Sequence, residues 1–118
     1  MFTIIFPVLN ERLRLENGVT RTVEYLQSIA FEDYEIIIVD NGSEDETPQI
    51  AEKLCKKYDK VRYERSNVRG VGAAFRRGVE VSHGDVVGYM DIDLSTNIRH
   101  LGEAIHLFET QPEIQYIN

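Results

Sequence analysis

The segment Glu35-Ile36-Ile37-Ile38-Val39-Asp40 constrains the fold most. Four β-branched residues in succession favour a strand, and their apolar side chains on both faces require cover on both sides. Phe2 to Val8 is a second apolar run of this kind, with Pro7 near its end, and its density predicts a central buried strand. Val61 to Arg65 and Val86 to Met90 are two weaker strands, and Glu113 to Ile117 could begin a fifth.

Helical spacing fills the intervals. Val19, Val23, Leu26 and Ile29 recur with helical period from about Leu15. Ile50, Ala51, Leu54, Cys55 and Tyr58 make one face of a second helix, with Thr47 expected as its N-cap and Pro48 at its first position. Val71, Ala74, Phe75, Gly78, Val79 and Ser82 mark a third helix, ended by His83-Gly84-Asp85 with Gly84 expected as a left-handed C-cap. Asn97 is expected to cap a last helix through Leu101, Ala104, Ile105 and Phe108.

Strands alternating with amphipathic helices predict an α/β fold: three layers, α/β/α, around a mostly parallel sheet with right-handed crossovers. Ligands of such sheets bind at the carboxyl ends of the strands. Asn10-Glu11, Asp40-Asn41-Gly42-Ser43 and Asp91-Ile92-Asp93 all fall at predicted carboxyl ends, and Arg69-Gly70 follows the third strand by a few residues. Polar groups distant in the chain would thus converge on one rim.

Each constellation carries a chemistry and a plainer alternative. Asp91 and Asp93, two apart in an extended segment, share a side and could hold a hard divalent cation; otherwise they are solvated turn residues. Asp40 could accept a base N–H or a ribose hydroxyl, or satisfy the turn at Gly42 and the start of the next helix. Glu11 is either a site carboxylate or a solvated loop residue. Arg69-Gly70-Val71-Gly72 could hold an anion at a helix start or be a glycine-tolerant turn. Phe75 stands where a dinucleotide fingerprint needs glycine, and the Gly-Lys-Ser/Thr ending of a Walker loop is absent. The histidines read as surface or capping residues, Cys55 as core, and the tyrosines as structural.

Composition narrows the partners. The 118 residues suit one domain, and 13 basic against 20 acidic residues leave a formal net charge of −7. Such a chain is a poor partner for nucleic acid, and a phosphate-bearing ligand would need a metal ion or a local donor cluster. One cysteine excludes an intramolecular disulfide framework and a multi-cysteine zinc site. No apolar run is long enough to span a bilayer, and the first residues lack the basic leader of a signal peptide.

Taken together, the segments resemble family 2 glycosyltransferases of the A-type fold, most of all the dolichyl-phosphate mannosyl- and glucosyltransferase branch. The resemblance rests on four ordered blocks: Pro7-Val8-Leu9-Asn10-Glu11, Val39-Asp40-Asn41-Gly42-Ser43 continuing to Thr47, Asn67-Val68-Arg69-Gly70-Val71-Gly72 with Gly78 and His83-Gly84-Asp85, and Asp91-Ile92-Asp93-Leu94. It implies the Rossmann-like, nucleotide-sugar-binding half of the fold. Pro7, Leu9, Glu11 and Asp40 would line the nucleoside pocket, and Arg69 would lie near the donor. Asp91 would face the ribose or sugar, and Asp91 and Asp93 would bind Mg or Mn bridging the diphosphate. The implied reaction moves a sugar from a UDP- or GDP-linked donor to a lipid phosphate, such as a polyprenyl or dolichyl phosphate, or to a saccharide. The implied location is the cytoplasm, peripheral to a membrane's cytoplasmic face in a longer form.

Asn41 stands where the family commonly has a second aspartate, so one acceptor becomes an amide. The chain ends 25 residues after Asp93, before the family's acceptor-binding half and its usual general base. The expectation is therefore a single donor-binding domain over 1–118, with no acceptor-activating base and with an open sheet edge that could pair two copies. The alternatives are a module that binds the nucleotide sugar without turnover, and a metal-dependent phosphohydrolase. The latter rests on the likeness of Asp91-Ile92-Asp93-Leu94-Ser95 to a haloacid-dehalogenase nucleophile motif. That motif usually ends a first strand, and its later lysine and acidic motifs have no room here.

Overall fold

The computed structural model describes residues 1–66, 70–84, 86–90, 92, 97–110 and 116–117. Strands β1 (Phe2–Val8), β2 (Tyr34–Asp40), β3 (Val61–Arg65), β4 (Val86–Tyr89) and β5 (Tyr116–Ile117) alternate with helices α1 (Leu15–Ser28), α2 (Thr47–Lys57), α3 (Val71–Val81) and α4 (Asn97–Thr110). The sheet order is β3-β2-β1-β4-β5 with every pair parallel. The expected central strand is thus β1, and its residues Ile4, Ile5 and Phe6 are fully buried.

Side chains alternate across the sheet, as the period of two demands. Phe2, Ile4, Phe6, Ile36 and Ile38 face a core completed by Leu15, Val19, Val23 and Leu26 of α1, Leu54 of α2, and Leu101 and Ile105 of α4. Ile5, Ile37, Val39 and Val87 face a smaller core with Ala74 of α3. Gly78 lets α3 lie close to the sheet, because a Cβ there would sit 2.5 Å from Ile5 Cδ1.

Helix α4 packs into the same core as α1 and α2. The apolar stripe of α4 finds its cover in the larger core, where Gly102 admits the Tyr25 hydroxyl of α1. Several local expectations are corrected. Helix α1 stops before Ile29, which is left 43% exposed; Ala30 takes the left-handed position (φ 54°), and the Phe31 N–H closes the end on Leu26 O at 3.0 Å. Helix α3 ends at Val81 with an extended Ser82, and Gly84 has no positive φ. Glycine is needed at 84 for space instead: a Cβ there would meet the Thr3 hydroxyl and, at 2.8 Å, Met1 O. Cys55 is half-buried, packed against the larger core rather than within it. The fifth strand is described only at Tyr116–Ile117.

A buried polar cluster ties the amino ends of the strands together beneath α3. Glu35 of β2 accepts the Thr3 hydroxyl at 2.7 Å and the His83 N–H at 2.5 Å on one oxygen, and Arg62 of β3 at 2.7 Å on the other. Burial pushes the Glu35 carboxyl up, but the His83 amide, the Thr3 hydroxyl and Arg62 together outweigh it and hold the group below its ordinary value.

Candidate functional site

The parallel register sets Val8 beside Asp40 and Asp40 beside Arg65, so three strands end on one rim. Two loops leave that rim, 9–14 after β1 and 41–46 after β2. Asn10 adopts a left-handed conformation (φ 53°), which asparagine tolerates better than most residues. In this pose Asn10 and the second loop bond reciprocally. Its N–H donates to Ser43 Oγ at 2.8 Å, and its Oδ1 accepts the Glu44 N–H at 2.8 Å. The next residue, Glu11, donates its N–H to Thr47 Oγ1 at 2.9 Å. Arg12 adds its N–H to Asp45 at 3.3 Å and its guanidinium to Glu46 at 3.7 Å.

These bonds correct the expected cap. Glu46, not Thr47, holds the N-cap position of α2, and no side chain caps it there. Thr47 Oγ1 is already engaged by Glu11, and the Thr47 N–H is taken by Asp45 Oδ1 at 2.9 Å. The Ser-x-x-x-Thr spacing therefore joins loop to loop.

Asp40 lies beneath this junction and is fully buried. Its Oδ1 accepts the N–H groups of Gly42 at 3.0 Å and Ser43 at 2.7 Å; Gly42 sits at φ 103°, a region that favours glycine. Its Oδ2 accepts the Tyr63 hydroxyl at 2.7 Å, with Arg65 Nη1 at 3.7 Å. Burial and the bond to Asp40 push the Tyr63 phenol up to about 12. The structure thus displays the turn-satisfying role of Asp40. Asn41 follows, tied by its N–H to Val8 O at 2.9 Å; it is 7% exposed, and its Oδ1 has no hydrogen-bond partner among the described residues. A buried unpaired carbonyl costs about 1–3 kcal/mol.

Of the residues singled out in the sequence, Pro7 is half-buried at the end of β1, and Leu9 (43% exposed) and Glu11 lie on the first loop. Glu11 is half-buried, with Arg14 at 3.8 Å. These three and Asp40 are brought to one rim. Arg69, Asp91 and Asp93 lie outside the described residues. Between the last two positions, Ile92 is buried against Gly18 of α1. Among the described residues no group of three histidine, cysteine or acidic side chains could hold a metal.

Sequence reasoning named Ser43 and Thr47 but not their bonds across the two loops, and it missed the bond from Tyr63 to Asp40 and the buried state of Asn41. Tyr63 pairs in register with Ile38, which places it on the same sheet face as Asp40, a placement that the register alone reveals.

A parallel sheet in this order, with its polar loops at the carboxyl ends, is the amino-terminal part of the A-type glycosyltransferase fold. The structure of glucosyl-3-phosphoglycerate synthase from Mycobacterium tuberculosis, solved with Mn2+, uridine diphosphate and phosphoglyceric acid, superposes with a TM-score of 0.61 at 25% identity, covering 77% of this chain and 32% of that one. The chain belongs to glycosyl transferase family 2, whose model matches residues 3–117. It is 40% identical over 105 residues to glycosyltransferase AglD of Haloferax volcanii, covering 87% of this chain and 17% of that protein. It is 39% identical over 121 residues to dolichyl-phosphate β-glucosyltransferase of mouse, covering 94% of this chain and 37% of that protein. The chain thus spans well under half the length of either relative. Among the described residues no helix is long and apolar enough to cross a membrane.

Proposed function

We propose that residues 1–118 form one donor-binding domain, which holds a UDP- or GDP-linked sugar for transfer to a polyprenyl or dolichyl phosphate or to a saccharide. The observation that carries this reading is that the family match over residues 3–117 includes two loops bonded to each other at the carboxyl ends of β1 and β2. Pro7, Leu9, Glu11 and Asp40 would line the nucleoside pocket, Asp40 at its buried base. Arg69 would lie near the donor and Asp91 near the ribose or sugar. Asp91 and Asp93 supply two carboxylates, a donor set suited to Mg or Mn. Held by Asp91 and Asp93, such an ion would offset the net charge of −7 at a phosphate-bearing ligand and would supply Lewis-acid chemistry for a departing nucleoside diphosphate.

Support for each part differs in kind. The mycobacterial synthase was solved with Mn2+ and uridine diphosphate, which supports a divalent ion and a nucleotide. The name of the mouse relative supports a lipid-phosphate acceptor. A place in the cytoplasm, peripheral to a membrane's cytoplasmic face in a longer form, belongs to the same proposal. Self-association would run along an open sheet edge, and a monomeric mass at high concentration would count against it.

The test is calorimetric titration of the chain with UDP- and GDP-sugars, with and without Mn2+, as wild type and Asp93→Ala. The expected result is metal-dependent binding of one nucleotide family, lost in the variant. Binding that ignores both metal and Asp93 would remove the metal assignment. Binding without transfer to any polyprenyl phosphate or saccharide would favour the module that does not turn over.

A further inference from the structure

Strand β3 forms one edge of the sheet, beside β2. The bonds between them have a fixed phase. The Ile36 N–H donates to Lys60 O at 2.8 Å and the Ser66 N–H to Asp40 O at 2.7 Å, so in the parallel register Arg62 and Glu64 turn their N–H and C=O groups to β2. Val61, Tyr63 and Arg65 therefore turn theirs outward. The Val61 N–H is taken by Tyr58 O at 3.2 Å; the Val61 carbonyl and both backbone groups of Tyr63 and Arg65 have no backbone partner among the described residues. Such an edge is a template for another strand, and charged side chains commonly guard it. Here the guards alternate in sign. Arg62 and Glu64 both face α3, Arg62 bonded to Val81 O at 3.0 Å and Glu64 to Arg77 at 2.9 Å, and their side chains remain 35% and 28% exposed.

We propose that β3 takes the β3 strand of a second copy of this chain, antiparallel, about a two-fold axis through Tyr63. The inference rests on the self-association reading above, to which it assigns an edge and a register. The N–H and C=O of Tyr63 then bond those of Tyr63 in the second copy, and each Arg65 N–H bonds the opposite Val61 carbonyl. Arg62 stands opposite Glu64 of the second copy, and Glu64 opposite Arg62. Both are non-hydrogen-bonded pairs, in which side chains approach most closely. Glu35 lies 2.7 Å from Arg62 and Arg77 lies 2.9 Å from Glu64, so charges of alternating sign run across the junction from Glu35 of one copy to Arg77 of the other. Charge selects this centre over its neighbours. A two-fold at Val61 would set Arg62 against Lys60; at Arg62 or Arg65, arginine against arginine; at Glu64, glutamate against glutamate. Like charges directly opposite are destabilising.

The test combines sedimentation of the chain over a concentration series with residue-resolved amide exchange. Wild type is expected to pass from one copy to two. As it does, the Tyr63 and Arg65 amides are expected to slow, while the Arg62 and Glu64 amides, already turned to β2, keep their rates. Glu64→Lys sets like charges opposite twice and is expected to weaken the pair about tenfold or more. Glu64→Gln, the gentler change for the fold, only removes the attraction and is expected to weaken it about threefold. A pair in which the Tyr63 and Arg65 amides exchange as in the single copy, variants that pair as tightly as wild type, or a mass that climbs beyond two copies would overturn the inference and leave self-association at another surface standing. A monomeric mass at the highest concentration would overturn both. Donor binding is tested separately, by the titration above.

Discussion

The Thr47 hydroxyl accepts the backbone N–H of Glu11 at 2.9 Å, joining the start of α2 to the loop after β1 across 36 residues of chain. Thr47 is fully buried, so no water replaces that acceptor. Thr47→Val keeps the volume and removes the hydroxyl, leaving the Glu11 N–H unpaired at a cost of about 1–3 kcal/mol. Urea denaturation is expected to show this loss, and amide exchange at Glu11 is expected to quicken in Thr47→Val but not in Thr47→Ser. Equal quickening in both variants would mean that methyl packing, rather than the hydroxyl, holds the loop.

The strands were legible because apolar density on both faces has few other solutions. β1 and β2 lie where the runs Phe2–Val8 and Glu35–Asp40 put them, and β1 is central. What escaped were choices between equivalent local partners. Thr47 followed by Pro48 fits a cap by local rules, yet the hydroxyl goes to Glu11, a donor that sequence proximity cannot reveal. Gly84 fits a left-handed stop, yet what requires glycine is the approach of Thr3 and Met1. Asp40 was open between turn and ligand. Its bond from Tyr63 comes into view only once the β2–β3 register is known.

Glu35 makes stability depend on acid. Its native pKa lies below the ordinary glutamate value, so the folded state favours the carboxylate. The stabilisation is fully present above the unfolded pKa and is lost as pH falls through the native one. Glu35→Gln is therefore expected to lower the urea midpoint at pH 7, with the gap from wild type closing as the pH is taken below 4.5 and through the lower native value. A gap that stays constant across this range would assign the effect to shape and hydrogen bonding instead of charge.

Tyr63 gives the opposite limb. Its phenol titrates at about 12 in the fold, against an ordinary value of 10.0. The neutral form is thus favoured by folding; its contribution is complete below pH 10 and disappears as pH rises toward 12. Alkaline spectrophotometric titration is expected to show a late phenol in wild type that is missing in Tyr63→Phe. The stability difference between the two is expected to shrink over the same interval. A Tyr63 phenol that ionises with the exposed tyrosines would mean that its hydroxyl does not hold Asp40 in solution.

Gly84 and Gly42 separate crowding from backbone strain. A Cβ on Gly84 would lie 2.8 Å from Met1 O and 2.9 Å from the Thr3 nitrogen, both backbone atoms of the β1 end that cannot swing aside. Gly84→Ala must push α3's exit away from β1, disturbing the Thr3–Glu35 bond, and is expected to cost about 1–3 kcal/mol. A Cβ on Gly42 meets nothing within 4 Å, but the residue stands at φ 103°. Gly42→Ala thus pays only for its backbone, about 1–2 kcal/mol. The two losses are expected to differ in their effect on the site. Gly42→Ala shifts the turn that Asp40 holds and weakens nucleotide binding, whereas Gly84→Ala, at the far end of the sheet, lowers the urea midpoint with binding unchanged. Weakened binding in Gly84→Ala at temperatures where it is fully folded would show that the two ends of the sheet are coupled.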